Sequence, residues 1–122
     1  MEGAAPAAVL LVEDDRLILD STADLLTRDG VEVACASSAE QAITILSDGF
    51  VPAILVSDIN LGAGESGLDL AHSVAERWPD VRLILLSGHV RPPRTDYPEK
   101  AVFLTKPFAD GALLTLIQRT DW

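Results

Sequence analysis

Short apolar runs alternate along the chain with longer stretches in which apolar positions recur every three or four residues. The runs are Val9–Val12, Val31–Cys35, Ile54–Val56, Val81–Leu86 and Ala101–Leu104. Four of them are nearly unbroken in apolar side chains, the pattern of strands covered on both faces. In the second, Glu32 interrupts an alternating VEVAC, which suits an edge strand. Between the runs, Ile18, Thr22, Leu25 and Leu26 share a helical face, and Gly30 follows as a left-handed stop. Ser38 and Gln41 make a capping box ahead of Ala42, Ile43 and Leu46, with Gly49 ending that helix. Leu68, Ala71, Ala75 and Trp78 form a third stripe closed by Pro79, and Leu113, Leu116 and Ile117 form the last.

Strands and helices in alternation, joined by short connections, predict an α/β fold: a parallel sheet with helices on both faces. Right-handed crossovers leave few arrangements of five strands, of which the flavodoxin-like order 2-1-3-4-5 is the commonest. One stretch departs from the pattern. After Ser87 comes GHVRPPRTDYPEK, with Pro92, Pro93 and Pro98 where a fourth helix belongs. Proline inside a helix costs about 3 kcal/mol, so this helix is predicted to be short or irregular, one or two turns at most. The 122 residues make one domain, 1–122, because chains divide only beyond roughly 250 residues.

Composition narrows the partners. The formal charge of -10 repels nucleic acid and anionic membrane surfaces, which leaves a cation or a basic protein patch as the fitting partner. No apolar run approaches the roughly 18 residues of a spanning helix. The opening MEGAAPAA lacks the basic start and apolar middle of a signal peptide, so a cytoplasmic location without membrane insertion is expected. Cys35 is the single cysteine, which excludes an internal disulfide; in its apolar run it is predicted to be a small buried hydrophobe rather than a reactive thiol.

Ligands of open α/β sheets bind at the carboxyl ends of the strands. Strand one delivers Glu13 and Asp14 to that edge, strand three Asp58, strand four Ser87 and strand five Lys106. Asp15, one place further on, reads as a helix start. Carboxylates crowded together raise one another's pKa unless a cation intervenes. Magnesium suits them, being hard, oxygen-seeking and content with one or two carboxylates. Cys35, His72 and His89 lack the ligand spacing of a zinc site, and LGAGESG lacks the GK[ST] of a nucleotide-binding loop. A carboxylate, a metal, a hydroxyl and an ammonium group together equip a site for phosphoryl transfer. Asp58 would attack phosphorus, while the metal and Lys106 offset charge on the phosphoryl oxygens and Ser87 donates a hydrogen bond. The plainer readings are a solvated helix start for the acids, strand-end turns for Asp58 and Ser87, and a surface role for Lys106. None of these explains why all fall on one rim.

The segments VLLVEDD, ILVSDIN, LLSGH and FLTKPF stand in an order and spacing that resembles the response-regulator receiver domain, over essentially the whole chain. The resemblance implies a signalling switch that takes a phosphoryl group from phosphohistidine onto Asp58 with Mg2+, catalysing only its own phosphorylation and dephosphorylation. It implies that Glu13 and Asp14 hold the metal, together with Asp58 and the backbone carbonyl of Asn60. Ser87 matches the hydroxyl that moves toward the phosphate, and Lys106 the family's lysine. Phe103 matches the aromatic that turns inward, although core packing explains it equally. The Lys106–Pro107 bond resembles one that is cis in the family, and His89 takes a position that tunes dephosphorylation. The implied donor is a histidine kinase or a histidine phosphotransfer protein, docking along the first helix. Three features depart from the pattern: Gly62 stands where the family usually has proline, the prolines disturb the fourth helix on the output face, and Phe103 has no hydroxyl. A stand-alone regulator, the receiver of a hybrid kinase and an excised fragment all fit.

The rival is a small phosphatase of the haloacid-dehalogenase type, which also uses an aspartyl nucleophile and magnesium. Its nucleophile lies in DxD, whereas Asp58 begins DIN. Its acidic pair comes late, whereas Glu13 and Asp14 come early, and it needs a cap for which this chain has no room. A receiver that binds without being phosphorylated is disfavoured because no expected site residue is missing.

Overall fold

Strand β1 (Ala8–Val12) is apolar on both sides because it lies inside the sheet, hydrogen-bonded to β2 (Glu32–Ala36) on one flank and β3 (Ile54–Asp58) on the other. Strands β4 (Arg82–Ser87) and β5 (Val102–Thr105) complete a five-stranded parallel sheet in the order β2-β1-β3-β4-β5, as the alternation predicts. The computed structural model describes residues 8–62, 66–88, 92–93 and 96–119. Four helices cover the sheet among them: α1 (Arg16–Arg28), α2 (Ala39–Ser47), α3 (Gly67–Arg77) and α4 (Asp110–Gln118). One core, built on Leu10, Val12, Leu55, Leu83 and Leu85, packs under α2 and α3; the other, on Val9, Leu11, Val56 and Ile84, packs under α1 and α4. Alternate residues of each central strand feed opposite cores, which is why β1 is apolar throughout, β3 is apolar up to Ser57 and β4 is apolar between Arg82 and Ser87.

The helix punctuation holds. Gly30 and Gly49 take φ of 85° and 109°, and the Ser38 hydroxyl accepts from Gln41 N–H at 3.0 Å. The Gln41 side chain reaches back to Ser37 rather than Ser38, accepting its N–H at 2.7 Å. Helix faces shift by one position from the predicted stripes. In α1 the buried residues are Leu19 and Leu26, with Ile18 half-exposed at the rim; in α3 they are Gly67, Leu70, Ala71 and Val74. Trp78 lies just past α3 as its C-terminal cap, beneath the Arg77 guanidinium at 4.4 Å. The apolar runs also understate two strands: β3 continues through Ser57 and Asp58, and β4 through Ser87, because the ladder persists after the side chains turn polar.

The prediction for Cys35 fails, since the side chain is exposed. It sits on the edge strand in a largely polar groove that it shares with Arg16, Asp20, Ser37 and Gln41. Partial burial and the Asp20 carboxylate push its thiol pKa up, away from thiolate chemistry.

Between β4 and β5 no described residue is α-helical, in keeping with the prolines. This segment is nonetheless tied down. Tyr97 is buried and stacks edge-on against Phe103, with ring centroids 4.5 Å apart. His72, exposed on α3, donates through Nε2 to the Asp96 carbonyl at 2.9 Å. Tyr97 escaped the sequence pattern because a single ring among prolines and charges has no periodicity; its isolation there was the available signal.

Candidate functional site

The site begins where β1 runs out. The Glu13 N–H still bonds to the Ala36 carbonyl at 3.1 Å, extending the ladder one step, so the Glu13 side chain is carried into the sheet edge and is only 3% exposed. Asp14 follows at the surface, and Asp15 turns the chain into α1 as its N-cap, accepting from Leu17 and Ile18 N–H at 3.0 and 3.2 Å. The run of three acids therefore divides its labour: one carboxylate is buried, one faces outward at the rim and one caps a helix.

Asp58 ends β3 beside β1. Glu13, Asp14 and Asp58 each present an oxygen within 4.8 Å of the others. Lys106, just past β5, closes the group: its Nζ donates to Asp58 Oδ2 at 3.0 Å and to Glu13 Oε1 at 3.3 Å. The Lys106 N–H donates to the Ser87 carbonyl at 2.7 Å, and the following peptide, Lys106–Pro107, is cis. Ser87, buried at the end of β4, pairs with Thr105 and stands one position beyond Leu86, the partner of Asp58. The fold thus brings together Glu13, Asp14, Asp58, Ser87 and Lys106, drawn from β1, β3, β4 and β5. Phe103 stands apart on β5, half-buried against Tyr97; His89 lies outside the described residues.

Charge in this cluster is finely balanced. Burial, chiefly, and then the neighbouring Asp58 push the Glu13 carboxyl above its ordinary value, although the Asp15 N–H and Lys106 pull the other way. Burial would lower the Lys106 ammonium, but its bond to Asp58, the Asp58 charge and Glu13 outweigh that and raise it. The lysine is thereby held as a cation among carboxylates. A hard divalent ion suits this donor set, which is all oxygen, carries several negative charges and converges from three side chains.

The loop from β3 to α3 is shaped by two glycines and a cap. Asn60 pairs with Ser66 in an isolated antiparallel bridge, and Asn60 Oδ1 accepts the Gly62 N–H at 3.1 Å. Ser66 caps α3, accepting from Leu68 N–H at 3.1 Å. Gly67 then passes so close to the strand that a Cβ there would lie 1.9 Å from the Asp58 carbonyl oxygen. Gly67 escaped the sequence reading; a glycine directly after the helix-capping serine of ESG was the signal, because glycine is a poor helix former unless something must come near.

Residues 9–118 match the response regulator receiver domain family. Among curated proteins the chain is 33% identical over 117 residues to the response regulator protein FleR of Pseudomonas aeruginosa, covering 93% of this chain and 24% of that one. It is 35% identical over 120 residues to nodulation protein W of Bradyrhizobium diazoefficiens, covering 95% of this chain and 52% of the relative. The chain therefore spans about a quarter to a half of the length of such relatives. Solved structures of a response regulator receiver protein from Sinorhizobium medicae and of a CheY-like receiver domain from Methanospirillum hungatei superpose with TM-scores of 0.83 and 0.82, each at 26% identity. Each superposition covers 92% of this chain, with 91% and 90% of the respective partners.

Proposed function

Since this chain belongs to the response regulator receiver domain family and acts as a phosphorylation-dependent signalling switch, we propose that its phosphoacceptor is Asp58. One observation carries the assignment: of the two cluster carboxylates that Lys106 bonds, Asp58 is the one that reaches solvent, its side chain 14% exposed against 4% for Glu13, while exposed Asp14 has no bond from the lysine. An Asp58 carboxylate oxygen forms the new bond to phosphorus while the phosphorus–nitrogen bond of a phosphohistidine donor breaks. The donor is an N-phosphorylated imidazolium, protonated on its other ring nitrogen; the electron pair of the broken bond returns to the phosphorylated nitrogen, leaving a neutral imidazole. A carboxylate nucleophile brings its own lone pair, so no general base is needed. Lys106, already positioned on Asp58, offsets charge gathering on the phosphoryl oxygens, and Ser87 at the end of β4 is the hydroxyl that turns to the phosphorylated side chain. Glu13 and Asp14, with Asp58 and the Asn60 carbonyl, would hold Mg2+, which when bound neutralises phosphoryl oxygens.

The donor of this reading is a histidine kinase or a histidine phosphotransfer protein. Leu17 and Ile18 stay 80% and 44% exposed on α1, and Ile18 shares a groove with Thr22, Lys106, Pro107 and Phe108 beside the carboxylates. Apolar side chains left uncovered next to the site suit a helical partner presenting its phosphohistidine there. Phe103, packed on Tyr97, would report the change at Ser87 to the segment between β4 and β5.

Incubation with acetyl phosphate and magnesium, read by intact mass, tests the acceptor. Wild type gains one phosphoryl group and Asp58→Asn gains none; labelling of both to the same extent would reject Asp58. The phosphatase alternative predicts sustained turnover of simple phosphate esters, and the same sample should show none above background.

A further inference from the structure

The proline expected four places after the acceptor is replaced by Gly62, and the structure shows what the replacement permits. Gly62 has a φ of +70°, which proline, locked near -65°, cannot adopt and other L-residues adopt at a cost. Its backbone lies against the acidic pair: a Cβ built on it would stand 2.7 Å from Asp14 Oδ2 and 3.6 Å from Asp14 Cγ. The first distance is shorter than any tolerable contact, and the atom it meets belongs to one of the three carboxylates that converge within 4.8 Å. Asp14 is exposed and can swing aside. A side chain at 62 is therefore accommodated by displacing that carboxylate, because Gly62 is tied through its N–H to Asn60 Oδ1 and Asn60 is bridged to Ser66.

From this geometry we infer that Gly62 is a positioning residue for the metal site, holding open the space in which the Asp14 carboxylate completes the oxygen cluster. The inference rests on the reading of Glu13, Asp14 and Asp58 as magnesium ligands. It assigns to Gly62 a part in setting magnesium affinity through Asp14, with no contact of its own to the ion, separate from the ligand role of the Asn60 carbonyl in the same loop.

Calorimetric titration of the unphosphorylated full chain with magnesium chloride tests it, using Gly62→Asn and Gly62→Ala. Asparagine tolerates positive φ, so it adds the Cβ with little backbone penalty and separates crowding from strain. Both substitutions are expected to raise the magnesium dissociation constant about tenfold, the usual scale for disturbing the support of a ligand. In an Asp14→Ala background, where the crowded atoms are gone, the same substitutions should change it by less than about twofold. An unchanged affinity in Gly62→Asn, or a full tenfold loss that persists without the Asp14 carboxylate, overturns the role of Gly62. A wild-type chain that takes up no magnesium overturns the ligand reading and this inference together, whereas labelling of Asp58 by acetyl phosphate reports on the acceptor separately.

Discussion

Glu13 shows how a single residue can be costly to the fold and useful to the site. Its carboxylate is 3% exposed, lies beside Asp58, and leans on a lysine that also serves Asp58. Burial and Asp58 raise its pKa, so the folded chain holds that proton more tightly than the unfolded chain does. The sign follows: the contribution to stability is present below the ordinary value of 4.5 and is lost as pH rises through the raised one. Glu13→Gln should therefore raise the thermal midpoint of the metal-free protein near neutral pH, by on the order of 3 °C, and flatten its fall between acid and neutral pH. The same change should weaken magnesium binding, as titration would show; a lower midpoint would mean that the Lys106 ion pair outweighs burial. Lys106 runs in the same direction higher on the pH axis, its contribution holding below 10.5 and fading as pH rises above that through its raised value.

At the level of elements, the β3–α3 connection and α1 carry the arguments that single residues do not. Helix α3 can start against β3 only because Gly67 has no side chain; a Cβ would meet Asp58 O at 1.9 Å and Ile59 Cα at 2.9 Å. Gly67→Ala should cost about 2 kcal/mol or more by chemical denaturation, since it strikes backbone that no rotamer change relieves. It should also lower the rate of labelling at Asp58, because the strand end must move; wild-type stability in this variant would show that the helix start has room. Helix α1 leaves Leu17 and Ile18 uncovered beside the carboxylates. Ile18→Asp should slow transfer from a phosphohistidine donor about tenfold while leaving labelling by acetyl phosphate unchanged, because the small donor needs no docking surface. Equal effects on both donors would place Ile18 in the chemistry or the fold rather than the interface.

For the molecule as a whole, the formal charge of -10 and the convergence of three carboxylates at one sheet edge make a divalent cation the natural stabiliser. Magnesium at about a hundred times its dissociation constant should add about 2.7 kcal/mol to stability, all of it removed by a chelator. In Asp14→Ala, which keeps the other ligands, the gain at the same magnesium concentration should shrink by about 1.4 kcal/mol for each tenfold loss of affinity. A chain whose melting ignores both magnesium and chelator would contradict the metal site irrespective of what happens at Asp58. No helix among the described residues is long and apolar enough to cross a membrane.

Periodicity, punctuation and the polar residues that follow each apolar run were enough to read the five-strand order, the helix ends at Gly30 and Gly49, and the membership of Glu13, Asp14, Asp58, Ser87 and Lys106 in one edge. These features are local: each is written in a run of consecutive side chains, and the topology of a parallel sheet carries every strand end to the same rim. Other features were not legible, because they depend on which atoms of distant segments approach one another. Cys35 is exposed in a largely polar groove beside Arg16 and Asp20, Tyr97 is buried in the core that the central strands form under α2 and α3, and Lys106 divides its bonds between Glu13 and Asp58. Gly62 and Gly67 look alike as letters; only the approach of Asp14 to one and of the Asp58 backbone to the other separates their duties. Contacts across dozens of residues are settled by packing, which no run of neighbours along the chain encodes.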